Sequence, residues 1–146
     1  MRVYLDACSL QRPLDDRCQP RVNIEAEAVL TILRLVESGQ VELLSSEALE
    51  YEMDQMPNVE RQARAREMLN LAIQTLELVD AVETEAEKRV RSGLRPLDAL
   101  HVAFASWGQA DYFCTCDDKL LKKSKRLKTL ATRVVSPLEL IAEVAP

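Results

Sequence analysis

Apolar residues along the chain fall into short continuous runs and longer stripes of helical spacing. Val3-Tyr4-Leu5 is such a run and predicts a buried strand ending at Asp6. Between Ala7 and Val22 the periodicity is lost: Arg12-Pro13-Leu14-Asp15-Asp16 and Pro20 predict an irregular, polar segment. Asn23 is placed to cap a helix whose stripe is Ala26, Val29, Leu30, Leu33 and Val36, ending near Gly39. Val41-Glu42-Leu43-Leu44-Ser45 predicts a second strand, and Ser46 caps a helix reaching about Gln55, broken by Pro57-Asn58. The next helix places Ala65, Met68, Leu69, Ala72 and Ile73 on one face.

Further along, Leu76-Glu77-Leu78-Val79 predicts a third strand, and Ala81 to Ser92 a charged helix stopped by Gly93. Pro96 suits the first position of a nearly all-apolar helix closed by Gly108, with Trp107 as a core residue. Tyr112-Phe113-Cys114-Thr115 and Arg133-Val134-Val135 predict a fourth and a fifth strand, and Ser136-Pro137 opens a last helix. Short strands alternating with helices predict an α/β fold with a parallel sheet covered on both faces.

Composition narrows the picture. At 146 residues, residues 1–146 form a single domain with a sizeable core, and scarce Gly and aromatics suit helix-rich packing. No apolar run is long enough to cross a bilayer, and no basic-then-apolar leader follows Met1, so the expected setting is cytoplasmic, with no membrane partner. Cys8, Cys18, Cys114 and Cys116 contain no Cys-x-x-Cys pair, which favours free thiols over a zinc site. The net charge of −5 argues against indiscriminate nucleic-acid binding. Six basic residues nevertheless crowd one stretch: Lys119, Lys122, Lys123, Lys125, Arg126 and Lys128. They form either a solvated helix face or a patch for RNA phosphates.

The acids carry the candidate chemistry. Ligands in parallel α/β sheets collect at the carboxyl ends of the strands. Asp6 follows the first strand, Glu47, Glu50 and Glu52 lie in the helix after the second, and Asp117 and Asp118 follow the fourth. Asp98 opens the helix that feeds that fourth strand, with His101 on the same face. Taken alone, Asp98 is either a charge on the helix dipole or a ligand aimed into a cleft. Glu50 and Glu52 point about 200° apart on their helix, so one of them faces the cleft. Asp118 reads as a cap for the basic helix that can also hold a water near an ion, and His101 as a packed, hydrogen-bonded histidine. Carboxylates gathered this closely repel one another, and a divalent cation relieves the repulsion. All-oxygen ligands suit Mg²⁺ or Mn²⁺, which can activate a water for phosphodiester hydrolysis.

The residues resemble those of the PIN-domain family, small metal-dependent ribonucleases that include the toxins of many toxin–antitoxin pairs. Tyr4-Leu5-Asp6 resembles the opening strand and first acid, and Leu49-Glu50-Tyr51-Glu52 the second acidic segment, with Glu52 aligned on the family's glutamate. Leu97-Asp98-Ala99-Leu100-His101-Val102-Ala103 matches the third acid. Thr115-Cys116-Asp117-Asp118-Lys119-Leu120-Leu121 resembles the fourth region, with Asp117 as ligand and Thr115 beside the metal. The resemblance implies a three-layer α/β/α fold with a central parallel sheet of about five strands. It also implies a site in which Asp6, Glu52, Asp98 and Asp117 hold Mg²⁺ or Mn²⁺ for RNA cleavage. RNA, a cognate antitoxin and a second copy of the chain are the expected partners.

Two departures are visible. Ala7-Cys8 stands where many members have Thr-Asn, which leaves a catalytically weak RNA- or protein-binding module as the alternative. The Arg12-Pro13-Leu14-Asp15-Asp16 loop resembles that of a less-characterised branch. A phosphatase of the haloacid-dehalogenase type needs a second acid where Cys8 stands, and a receiver domain finds only the poorly framed Asp80.

Overall fold

The computed structural model describes residues 1–127 and 130–145. Five strands, β1 (Arg2–Leu5), β2 (Glu42–Ser46), β3 (Gln74–Leu76), β4 (Tyr112–Cys114) and β5 (Arg133–Val135), form one sheet in the order β3-β2-β1-β4-β5. All four pairings are parallel, with Val3 opposite Leu43 on one side and Tyr112 on the other. Parallel neighbours need crossover connections. Helices supply them: α1 (Ala7–Gln11), α2 (Pro20–Glu37), α3 (Glu47–Asp54), α4 (Val59–Leu69), α5 (Asp80–Arg91), α6 (Pro96–Trp107), α7 (Asp118–Lys125) and α8 (Pro137–Val144). Helices α5 and α6 pack together and α6 lies on β2 and β4, while α2 packs on α8, which lies on β4 and β5. The result is the three-layer α/β/α architecture. Its core centres on the inner strands, where Val3, Tyr4, Leu5, Leu43, Leu44 and Phe113 are fully buried. No helix among the described residues is long and apolar enough to cross a membrane.

Several starts are set by capping chemistry visible in the sequence. The Ser46 hydroxyl accepts from the amide of Leu49 to begin α3, and Ser136 forms a reciprocal box with Glu139 at α8. Pro96 opens α6 without any side-chain cap.

Elsewhere the structure corrects the expectation. The segment after Asp6 is ordered: the Asp6 carboxylate accepts from the Ser9 amide and starts α1, followed by a 3₁₀ turn at Arg12–Leu14. Helix α2 begins at Pro20 rather than after Asn23, because the fixed φ of proline suits a first helical position even with an uncapped Gln19 before it. Helix α4 ends at Leu69, so Ile73 leaves the predicted stripe, half-exposed. Its amide instead bonds the Leu43 carbonyl, leading the chain into β3. That strand is Gln74–Leu76 instead of 76–79, because the Leu78 amide is taken by the Glu47 carboxylate at 2.9 Å and leaves the ladder.

Trp107 is 53% exposed and is not core: it is the last residue of α6, bordering a shallow hollow with Ala81 and Glu85 of α5. Gly108 beside it is closely packed against leucine side chains. A Cβ there would meet Leu76 Cδ1 at 2.6 Å, and the left-handed φ of 57° falls on Gln109 instead.

Candidate functional site

Strands β1 and β4 are adjacent and parallel, so the residues just beyond them emerge at the same edge of the sheet. Leu5 pairs with Cys114, and the Asp6 amide bonds the Cys114 carbonyl at 3.1 Å. Asp6 and Asp117 are thereby delivered to one place. Helix α3 brings Glu52 from the end of β2, and the first turn of α6 brings Asp98. With Ala7, Cys8, Leu97 and His101 these four acids line a cleft of about 160 Å³. A larger hollow of about 290 Å³ lies between α7, β5 and α8, away from the four acids.

Each acid is held by its own donors. Asp6 Oδ1 accepts from the Ser9 amide and from the Cys8 thiol, both at 3.0 Å. Asp117 Oδ1 accepts from the amides of Lys119 (2.9 Å) and Leu120 (3.3 Å), so it caps α7. Glu52 Oε1 accepts from Nε2 of buried His101. His101 Nδ1 in turn meets the Tyr4 hydroxyl at 2.6 Å, which meets Ser46 Oγ at 2.6 Å. This chain of bonds ties β1, α6 and the start of α3 beneath the cleft. Thr115 Oγ1 accepts from the Asp117 amide at 3.1 Å.

Asp98 carries the electrostatic signature. Its pKa is raised first by burial, then by the charges of Asp117 and Asp6, with Arg95 and His101 opposing. Among the described residues, no three His, Cys, Asp or Glu side chains already stand in an arrangement that could hold a metal ion. The hydrogen bonds above use one oxygen of each of Asp6, Glu52 and Asp117. The donor set itself, four carboxylates with mutual repulsion at Asp98, suits a hard divalent cation.

The competition between the two glutamates is resolved in space. Glu50 turns away and pairs with Arg66 at 3.0 Å, leaving Glu52 on the cleft. Asp118 is corrected: Asp117 is the cap of α7, and exposed Asp118 pairs with Arg21 at 2.6 and 2.9 Å, outside the cleft lining. Adjacent acids at a helix start look alike in sequence, and the extended backbone of Asp117 decides between them. Lys119, Lys122, Lys123, Lys125 and Arg126 are all exposed on or just after α7, whose buried side is Leu120, Leu121 and Ser124. Lys125 is also engaged, 3.3 Å from Glu139. Lys128 lies outside the described residues.

Two neighbours of the candidate acids escape a sequence reading. Arg66 reaches Glu50 only through the folding of α4 onto α3. Cys8 was legible only as a departure, although its place two residues after a capping Asp6 puts its thiol on that carboxylate. The Cys8 thiol pKa is raised by neighbouring Cys116, by burial and by Asp6, while Cys116 is lowered chiefly by Cys8, against burial. The Arg12 guanidinium and Ser9 hydroxyl add to the lowering at Cys116.

Fold and cleft together define a three-layer α/β protein that gathers carboxylates at the carboxyl edge of a parallel sheet. No protein-family model matches the chain, and no curated protein does. Among solved structures it is similar to the crystal structure of PAE2754 from Pyrobaculum aerophilum, with a TM-score of 0.58 and 18% identity. That likeness covers 99% of this chain and 98% of the other, and at such identity it carries the fold alone.

Proposed function

We propose that the chain is a PIN-type endoribonuclease that uses Mg²⁺ or Mn²⁺ to hydrolyse RNA phosphodiester bonds. The observation that carries this reading is the convergence of Asp6, Glu52, Asp98 and Asp117 on one cleft, with Asp98 pushed up by the charges of Asp117 and Asp6. These four carboxylates would hold the ion. The chemistry such an ion supplies when bound is activation of a water and neutralisation of charge developing on a phosphoryl oxygen.

The chain's own residues do the rest. Ser9 and Cys8 fix the rotamer of Asp6, His101 orients Glu52, and Leu97 covers one side of the cleft. The exposed cations of α7, which starts at Asp117, offer contacts to flanking phosphates. The four unpaired thiols suit a reducing, cytoplasmic setting, where a cognate antitoxin or a second copy of the chain would be the protein partner.

A second reading, an RNA- or protein-binding module with weak catalysis, rests on the Ala7-Cys8 departure beside Asp6, where the Cys8 thiol bonds that carboxylate at 3.0 Å. Incubating the purified protein with defined RNAs in Mn²⁺ and in chelator separates the two. Cleavage that requires Mn²⁺ and is lost in Asp98→Asn supports the nuclease. Retention of RNA without cleavage supports the module, and cleavage unaffected by chelator contradicts the metal site.

A further inference from the structure

Strand β5 ends the sheet, with β4 as its neighbour. The Arg133 amide bonds the Asp111 carbonyl, and the Val135 carbonyl accepts from the Thr115 amide, both at 3.0 Å. Bonds to a parallel neighbour come from alternate residues, so the amide and carbonyl of Val134, between those two, point to the open edge. The hollow of about 290 Å³ between α7 and α8 lies there. Thr132, Arg133, Val134 and Val135 all line it, although successive strand side chains face opposite ways. The hollow therefore meets β5 edge-on.

A second observation points to a ligand. Ser124 of α7 is 4% exposed and lines the hollow, and its hydroxyl has no hydrogen-bond partner among the described residues. A buried hydroxyl left unpaired is destabilising, and a bound partner relieves it. Leu127 and Leu130 supply apolar walls. One hydroxyl, one outward amide–carbonyl pair and apolar walls suit the edge and face of a flat heteroaromatic ring. The volume lies at the low end of small-molecule sites, about 300–1,000 Å³, which suits a single base. Charge selects what the ring carries. Arg133 stands on the rim, 3.3 Å from Glu143 in an exposed pair of the kind that holds weakly, and α7 turns Lys119, Lys122 and Lys123 to solvent. These cations favour a phosphate-bearing ligand. An added peptide strand is disfavoured, because β5 is three residues long and turns only Val134 outward.

We propose that this hollow is a nucleotide site, with the base against Val134 and Ser124 and the phosphate on Arg133. Its occupant is a free mononucleotide or one unit of a single-stranded RNA, whose splayed bases are open to such recognition. The site is separate from the acid cleft, since the eight residues of α7, about 12 Å of helix, stand between Asp117 and the hollow. It needs no cation, so it fails or holds apart from the nuclease reading.

The test titrates the full-length, ¹⁵N-labelled chain in chelator with AMP, GMP, CMP and UMP, and separately with a short single-stranded RNA. The Ser124 and Val134 amide signals are expected to move and saturate. Saturation by a mononucleotide supports the free ligand, and saturation by the RNA alone supports a unit of the strand. Ser124→Ala should weaken binding about 2- to 13-fold, the equivalent of one hydrogen bond. Arg133→Gln should weaken the nucleotide and leave the matching nucleoside unaffected. The proposal is overturned if neither probe moves those signals, or if the shifts fall on Cys8, Leu97 and Asp98 instead. It is equally overturned if ribose 5-phosphate, which lacks a base, binds as well as the nucleotide. Should a variant fail to fold, the wild-type titrations with nucleoside and ribose 5-phosphate decide alone.

Discussion

The Glu52 carboxylate accepts a hydrogen bond from Nε2 of His101, while Glu50, two residues earlier on the same helix, is bound to Arg66 on the opposite side. One glutamate is thereby assigned to the cleft and its neighbour to the surface. Glu52→Gln is expected to abolish Mn²⁺-dependent RNA cleavage and most of the Mn²⁺-induced thermal shift. Glu50→Gln should keep both and cost only the worth of an exposed ion pair, about 0–1 kcal/mol in denaturant melts. The opposite pattern would show that Glu52 belongs to the protein's internal bonding and not to its chemistry.

Beneath that bond, Tyr4 joins His101 to Ser46 in a fully buried position. Tyr4→Phe keeps the ring and its stacking on Phe113 but leaves buried polar atoms short of a partner. The expected loss of stability is about 1–3 kcal/mol by urea unfolding. A loss near zero would mean that the hydroxyl is dispensable for holding His101.

How much of this was legible in the sequence depended on where each determinant sits. Ser46, Pro96 and Ser136 act on backbone within a few residues, so their helices could be placed from local chemistry. Asp6 and Asp98 were also legible, because a carboxylate closing an apolar strand or opening a buried helix lies at the sheet's carboxyl edge by topology. The reading of Asp118 as the cap of α7 fails, because the backbone angle that makes Asp117 the cap follows from where β4 ends. The short edge strand β3 was misplaced because a distant side chain, Glu47, takes an amide that hydrophobic pattern alone assigns to the ladder. Trp107 was misjudged for a related reason: the end of an apolar helix outruns the elements that cover it.

Helix α7 offers a salt-dependence test. Lys122 and Lys123 are exposed, whereas Lys125 is shared with Glu139. Neutralising Lys122 and Lys123 should lower the slope of log K against log salt by about 0.7 for each lost contact to single-stranded RNA. Lys125→Gln is expected to change it less. An unchanged slope in the double variant would make α7 a solvated face.

Asp98 should also be visible in the pH dependence of stability. Its folded pKa lies above the ordinary value of 3.8, so the folded protein binds this proton more tightly than the unfolded chain. Without metal, stability from this group is therefore lost as pH rises from about 3.8 through the raised value, and the penalty persists above it. Asp98→Asn should remove that decline in chelator, read as the difference between the two stability–pH curves. Parallel curves for wild type and variant would contradict the crowding of charge at this position.

The most direct measurement for the shared-cation account is a set of four thermal melts: wild type and Asp98→Asn, each in chelator and in Mn²⁺. An ion that binds only the folded state adds roughly 2.7 kcal/mol at a hundredfold excess over its dissociation constant. A charge serving only the helix dipole would instead contribute about 0.3–1 kcal/mol, whether or not metal is present. The account predicts that Asp98→Asn melts at or above wild type in chelator, because like-charge repulsion is relieved, yet loses most of the Mn²⁺ shift. An Asp98→Asn protein that melts lower in chelator while keeping the full Mn²⁺ shift would contradict it.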